Sequence, residues 1–133
     1  MVEVKSPDGR HTAKWRGGGE LWMSGPAWGY LQVDALPEIK GATDEFMWAS
    51  TSQFLAAVVL YIQDVPTRQG VEGIGYRVAV LQPSTGLVHY TLGNVQLAKV
   101  SLVDFFGSEL SLLVNGHPRN VDVSKMGFHS AGA

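Results

Sequence analysis

The longest uninterrupted apolar run in the sequence spans residues 54–62, FLAAVVLYI, and it constrains the fold more than any other segment. A run with no polar side must be covered on both sides by other parts of the chain, whichever element it forms. Read with a period of two, Phe54, Val58 and Ile62 share one face of a buried strand rich in β-branched residues. Read with a period near 3.6, the same three residues fall on one stripe of a helix over about residues 44–63. Periodicity alone leaves both interpretations open.

An internal similarity between two turn-rich segments favours the strand. Residues 6–13, SPDGRHTA, and residues 49–56, ASTSQFLA, both place a small polar turn before a long residue, two further positions and an alanine. In the first segment Pro7 presets φ, Asp8 bonds back to the backbone and Gly9 accepts a positive φ. Such a turn joins two extended segments, so we expect residues 54–62 to be extended.

These two segments, with a third at residues 105–112, FFGSELSL, resemble the S-P-D-G-x-x-L-A hairpins of β-propeller blades of the WD-repeat and TolB-like type. Their spacing is close to the blade length expected of such repeats. The resemblance implies repeated β-hairpins. It assigns no functional residues, because the motif is a turn rather than a site.

Two further hairpins follow from local turn chemistry. Residues 76–81 and 87–92 are alternating, β-rich runs joined by the turn QPSTG. Near the end, residues 110–114 and 121–123 flank a segment that begins with Asn115-Gly116, a strong hairpin signal. We therefore expect both pairs to be antiparallel.

Turn signals elsewhere predict where strands end. The three glycines at 17–19 are expected to interrupt any element, and residues 34–45, polar and containing Pro37 and Gly41, are expected to form a loop. The predicted fold class is all-β, with antiparallel hairpins forming a sandwich, barrel or open propeller-like assembly. The alternative is α+β, with one helix at about 44–63 on a curved antiparallel sheet.

Length and composition limit the classes of protein to consider. With 133 residues and a net charge of −2, the chain is expected to be a single globular domain, 1–133, with a frayed tail from about residue 124. The absence of cysteine excludes disulfides and thiolate chemistry. No apolar run approaches the ~20 residues of a membrane-spanning helix, and the first residues contain no signal peptide, so a soluble, cytoplasmic protein is expected.

The motifs for catalysis, metals and cofactors predict no site. The histidines stand singly, without metal-ligand spacing: His11, His89, His117 and His129. Residues 70–75, GVEGIG, precede a strand rather than a helix and do not form a dinucleotide loop. We therefore predict no catalytic residue, no metal and no cofactor. A hydrolase would require a cleft that holds two convergent carboxylates or a His–acid pair.

Aromatic side chains concentrate in the first third of the chain and are the candidate site. The candidate ligand-binding residues are Trp15, Trp22, Trp28, Tyr30 and Trp48. Trp15, flanked by Lys14 and Arg16, is placed to stack on a planar or sugar-like ligand. The structural alternative is that these rings fill the core between sheets.

The predicted function is a non-catalytic protein-interaction or binding module, with a small-molecule binding protein as the alternative and a hydrolase third. Open sheet edges predict a homo-oligomer, most simply a two-fold dimer, with a protein partner or a small ligand. Neither a nucleic acid nor a membrane is expected as a partner. The basic residues near the start of the chain are too few to predict nucleic-acid binding: Lys5, Arg10, His11, Lys14 and Arg16.

Overall fold

A computed structural model describes residues 2–20, 27–62, 74–96, 100–125 and 129–130. Its strands are β1 (Val2–Lys5), β2 (Thr12–Glu20), β3 (Ala27–Val33), β4 (Ile39–Trp48), β5 (Leu55–Ile62), β6 (Ile74–Gln82), β7 (Leu87–Gln96), β8 (Val100–Phe106), β9 (Glu109–Val114), β10 (His117–Asp122) and β11 (His129–Ser130). The described ranges contain no α-helix, only one 3-10 turn at Val123–Lys125. Within the described ranges, no helix is long and apolar enough to cross a bilayer. The all-β prediction is confirmed, and the helix over 44–63 is wrong, because β4 and β5 occupy its described positions.

The strands form two antiparallel sheets. The larger has the order β1-β2-β3-β4-β5-β6-β7-β11, and the smaller has the order β10-β9-β8. The larger sheet follows chain order up to β7, as expected for strands joined by hairpins. The smaller sheet is tied to the end of β4, where the Ser50 N–H donates to the Phe105 carbonyl at 2.9 Å.

Strand β5 is buried on both faces, and this determines where the two cores lie. Leu55, Ala57 and Val59 point into a first core inside the larger sheet. Their neighbours Ala56 and Val58 point into a second core beneath the smaller sheet. The second core is completed by Phe54, Val78, Val80, Val100, Phe105, Leu110, Leu112 and Val123, among others. The expectation that residues 54–62 lie extended between two layers is confirmed for these strand positions.

The first core exists because the larger sheet folds back on itself. Ala13 of β2 and Leu31 of β3 share this core with Ala79 of β6, although several strands separate them in the sheet. A register irregularity between Ala42 and Phe46 interrupts the pairing of β4 with β5. Such irregularities bend a strand and increase its twist. Turns from distant parts of the chain also meet, since the Asp8 N–H donates to the Ser52 hydroxyl.

The glycine run does not end a strand, contrary to expectation. Strand β2 continues to Glu20, with a register shift between Gly17 and Gly19. The ring of Trp28 lies against Gly18, where an added Cβ would be 2.5 Å from the ring atom Cζ3. The absence of side chains therefore provides a surface on which the indole packs, and this contact offsets the entropy that glycine loses in a strand.

The segment 34–45, predicted as a loop, belongs to a strand from residue 39 onward. Strand β4 begins at residue 39, because Ile39 and Ala42 are buried in the first core while Lys40 between them is exposed. The turn of the last hairpin consists of two residues, Asn115 and Gly116, which take positive φ values of 52° and 79°. Pro118 is tolerated within β10 because this strand is at the edge of its sheet.

The three mutually similar segments all lie at hairpin turns. The turn 6–11 joins β1 to β2, the turn 49–54 joins β4 to β5, and Gly107 lies in the turn between β8 and β9. The first two turns touch, because the Asp8 N–H donates to the Ser52 hydroxyl at 3.0 Å. The strand order has nothing specific to propeller blades, and the resemblance stays a prediction.

Candidate functional site

The predicted aromatic residues do not form one surface. Trp15, Trp28 and Tyr30 lie on the paired strands β2 and β3, whereas Trp48 lies at the far end of β4. Trp22 lies outside the described residues. Two grooves must therefore be considered separately.

The first, the Tyr30 groove, has a volume of about 240 Å³. Its lining residues are Lys14, Trp15, Arg16, Tyr30, Gln32 and Glu38. Arg16 and Tyr30 are directly paired across β2 and β3, and Lys14 is paired with Gln32. Because alternate residues of a strand face opposite sides, these four side chains lie away from the core residues Ala13 and Leu31.

The side chains of the Tyr30 groove hold one another in place. The guanidinium carbon of Arg16 lies 4.1 Å from the centre of the Tyr30 ring, and Arg16 Nη2 donates to Glu38 Oε2 at 3.0 Å. Trp28 packs edge-on against Tyr30 with 5.7 Å between ring centres. An exposed ion pair contributes little to stability. The consequence of these contacts is that the cation, the ring and the carboxylate have one arrangement before any ligand binds.

Trp15 lines the Tyr30 groove and also packs against the core, whereas Trp48 lies in the core and lines neither groove. The Trp15 indole N–H donates to the Ala42 carbonyl at 2.9 Å, and its ring packs against the first core. Trp48 is buried, and its indole N–H donates to the Val4 carbonyl at 3.1 Å. Both rings thus pair their polar atom with a backbone carbonyl, as buried tryptophans do.

The second groove, the turn groove, has a volume of about 410 Å³ and forms where three turns converge. It is lined by Asp8, Arg10 and His11 from the first turn, by residues 51–53 and by residues 82–84. Sequence reasoning missed this site, since no local motif links these segments. The only signal was the similarity of the segments at 6–13 and 49–56, which we interpreted as a repeat.

A His–acid pair lies beside the turn groove. His11 Nδ1 lies 2.7 Å from Asp34 Oδ2, although the residues are 23 positions apart. The Thr12 N–H donates to Asp34 Oδ1 at 3.0 Å, which fixes the carboxylate. The His11 ring also stacks on Trp48, with 6.1 Å between ring centres. The pair meets the geometric condition for hydrolytic chemistry stated above, but within the described residues no hydroxyl is hydrogen-bonded to the His11 ring.

The Asp34 carboxylate makes stability depend on pH in the acid range. Partial burial raises the pKa of Asp34, but its bonds to the Thr12 amide and the His11 ring outweigh burial and lower the pKa below the ordinary value of 3.8. A carboxyl group whose pKa is lower in the folded state stabilises the fold at pH values above its ordinary pKa. This stabilisation is lost as the pH falls through the folded-state pKa.

We expect Asp34→Asn to be less stable than the parent chain at pH 7, and the pH-dependent part of that difference to disappear near pH 2. That part should be at most about 1 kcal/mol, because solvent screens a carboxylate that is 39% exposed. Urea unfolding of both chains across this pH range measures it. A difference that stays constant with pH would show that the charge of Asp34 does not stabilise the fold.

The described residues contain no group of three or more His, Cys, Asp and Glu side chains that could hold a metal ion. Comparisons with protein-family models, with curated proteins and with solved structures found no match.

Proposed function

We propose that this protein is a non-catalytic binding module that holds a planar or sugar-like ligand in the Tyr30 groove. The observation that carries this proposal is the position of Arg16, which lies over Tyr30 at 4.1 Å and is bonded to Glu38 at 3.0 Å. A ligand meets side chains that are already arranged, so binding costs less conformational entropy at this site than at a mobile one.

The chemistry of the lining residues supports the ligand class. Aromatic rings present flat apolar surface to a planar molecule or to the C–H face of a sugar. Gln32 and Glu38 add hydrogen-bonding groups at the rim. Lys14 forms no ion pair with any described residue, so its ammonium group is available to a ligand. A few polar groups around apolar surface are typical of small-molecule sites.

Two other expectations are part of this proposal. A two-fold dimer is supported by the edge strand β1, on which Val2 and Val4 are exposed. The expected location is the cytoplasm. Hydrolysis ranks below binding, because the His11–Asp34 pair has no hydroxyl hydrogen-bonded to its ring in the described part of the chain.

The test is a tryptophan-fluorescence titration with neutral trisaccharides and with planar heterocycles such as nucleosides and flavins. We expect one class to give a saturable change, and Tyr30→Ala to weaken that binding at least about tenfold, which corresponds to 1.4 kcal/mol. Tyr30 supplies the ring on which Arg16 is held, so its loss removes the apolar surface and the order of the cation together.

The matched control is Phe106→Ala, which removes an aromatic side chain that is 75% exposed on β8, in the other sheet. This variant should bind like the parent chain. The proposal is overturned if no compound gives a saturable response, or if Phe106→Ala weakens binding as much as Tyr30→Ala.

A further inference from the structure

Several acceptor groups of the turn groove are used by the turns themselves. Asp8 Oδ1 accepts the Ser6 hydroxyl at 2.6 Å and the Arg10 N–H at 3.0 Å. The Ser52 hydroxyl oxygen accepts the Asp8 N–H at 3.0 Å. Gln82 Oε1 accepts the Thr85 hydroxyl at 3.0 Å. These bonds fix the shape of the groove.

The cationic donors of the groove are available by contrast. Arg10 is exposed, and its guanidinium forms no ion pair with the described residues. The Nδ1 atom of His11 faces Asp34, which leaves Nε2 as the second ring nitrogen, and it has no hydrogen-bond partner in the described part of the chain. When the ring is protonated, its Nε2–H becomes a donor beside Arg10.

The ring of His11 is held from several directions. Its backbone N–H donates to the Ser6 hydroxyl at 3.1 Å, and its carbonyl accepts the Ser6 N–H at 2.9 Å. The ring stacks on Trp48, which is itself fixed by its bond to Val4. A donor held in this way keeps its direction when a ligand enters.

We propose that the turn groove is a second binding site, for a small anion whose carboxylate or phosphate-like group lies between Arg10 and the protonated ring of His11. The carboxylates at this site are Asp34, which is bonded to His11 and to the Thr12 N–H, and Asp8, which lines the groove and accepts its hydrogen bonds through Oδ1. The turns 49–54 and 83–86 contribute only uncharged side chains to the groove. Arg10 and the imidazolium therefore offset the two acids, and charge-assisted hydrogen bonds favour an anion there.

Binding is coupled to protonation of His11. With its proton on Nδ1, toward Asp34, the neutral ring presents a lone pair at Nε2, which repels an anion. The affinity therefore falls as the pH rises. This behaviour is independent of the Tyr30 groove, where no histidine is present.

The experiment follows the ring nitrogens of His11 by NMR in titrations with sodium sulfate and with sodium acetate, at pH 5.5 and pH 8.0 and constant ionic strength. Sulfate represents the phosphate-like group without titrating in this range, and acetate represents the carboxylate. We expect at least one anion to give a saturable chemical-shift change at pH 5.5. Its affinity at pH 8.0 should be at least tenfold lower. Whichever anion binds more tightly identifies the chemical group.

Four variants decide the assignment. Arg10→Gln should weaken binding at pH 5.5 at least tenfold, and His11→Gln, followed through the Trp48 indole resonance, should abolish the pH dependence. Arg119→Gln, an exposed arginine of β10, and Tyr30→Ala should both leave binding unchanged. The proposal fails if the shifts do not saturate, if Arg10→Gln binds like the parent chain, or if Arg119→Gln loses as much affinity as Arg10→Gln.

Discussion

Replacing either Val58 or Val59 by aspartate is expected to unfold the protein. These neighbours lie on opposite faces of β5 and are 2% and 1% exposed, one in the second core and one in the first. A carboxylate at either position has no partner in an apolar core and costs about 4 kcal/mol or more. A domain of this size is stable by only about 5–15 kcal/mol. Both variants should therefore show a collapsed or absent thermal transition by circular dichroism.

The pair of variants tests the architecture more sharply than either alone. A strand with one solvent-facing side would tolerate aspartate at one of two adjacent positions. Val103→Asp is the control, because Val103 is 53% exposed on β8. Its replacement should leave the free energy of unfolding within about 0.5 kcal/mol of the parent value. If one of the two β5 variants keeps the parent midpoint, that face of β5 is not covered as described.

Gly29→Ala is expected to cost about 3 kcal/mol or more, because the added methyl group has no space. Its Cβ would lie 2.0 Å from the Arg16 carbonyl oxygen and 3.0 Å from Cε2 of the Trp15 ring. The first obstacle is backbone and cannot rotate away, so β2 and β3 must separate at the Tyr30 groove. Urea unfolding measures the loss, and the fluorescence of Trp15 should change in the folded fraction.

The residue paired with Gly29 across the two strands provides the control. A Cβ on Gly17 meets only the Trp15 ring, at 3.7 Å, which is an ordinary contact. Gly17→Ala should therefore change stability by less than about 1 kcal/mol. Equal losses in the two variants would show that strand flexibility, rather than the close approach of β2 and β3, requires glycine at position 29.

Local rules predicted the hairpins but not their partners. Asn115-Gly116 and the turn between β6 and β7 were assigned correctly, because their signals lie within a few residues. The strand through the glycines at 17–19 was missed, because its cause is the Trp28 ring, which lies on the neighbouring strand. Propensity describes a segment alone, whereas a tertiary contact can override it.

The candidate sites show the same division. The concentration of aromatic residues was visible in the sequence, but which of them share a groove depends on the pairing of Arg16 with Tyr30. The His11–Asp34 pair could not be anticipated, because it joins residues 23 positions apart through the pairing of β2 with β3, whose register places Asp34 beside Thr12. Nothing in the spacing of these residues distinguishes them from other polar turn residues.

The amino-acid sequence by itself determined that the apolar run from residue 54 is covered on both sides, since a run without a charged residue has no face to offer to water, and residues 54–60 are buried. That the run is extended was an expectation from the neighbouring turns, which β5 confirms. The sequence also determined most of the reverse turns, because a turn depends on the φ preferences of a few consecutive residues. Only the tertiary structure decided which turns meet and which rings line a groove. Those outcomes follow from the bend of β4 and from the register of each strand pair, which depend on side chains that are distant in the chain.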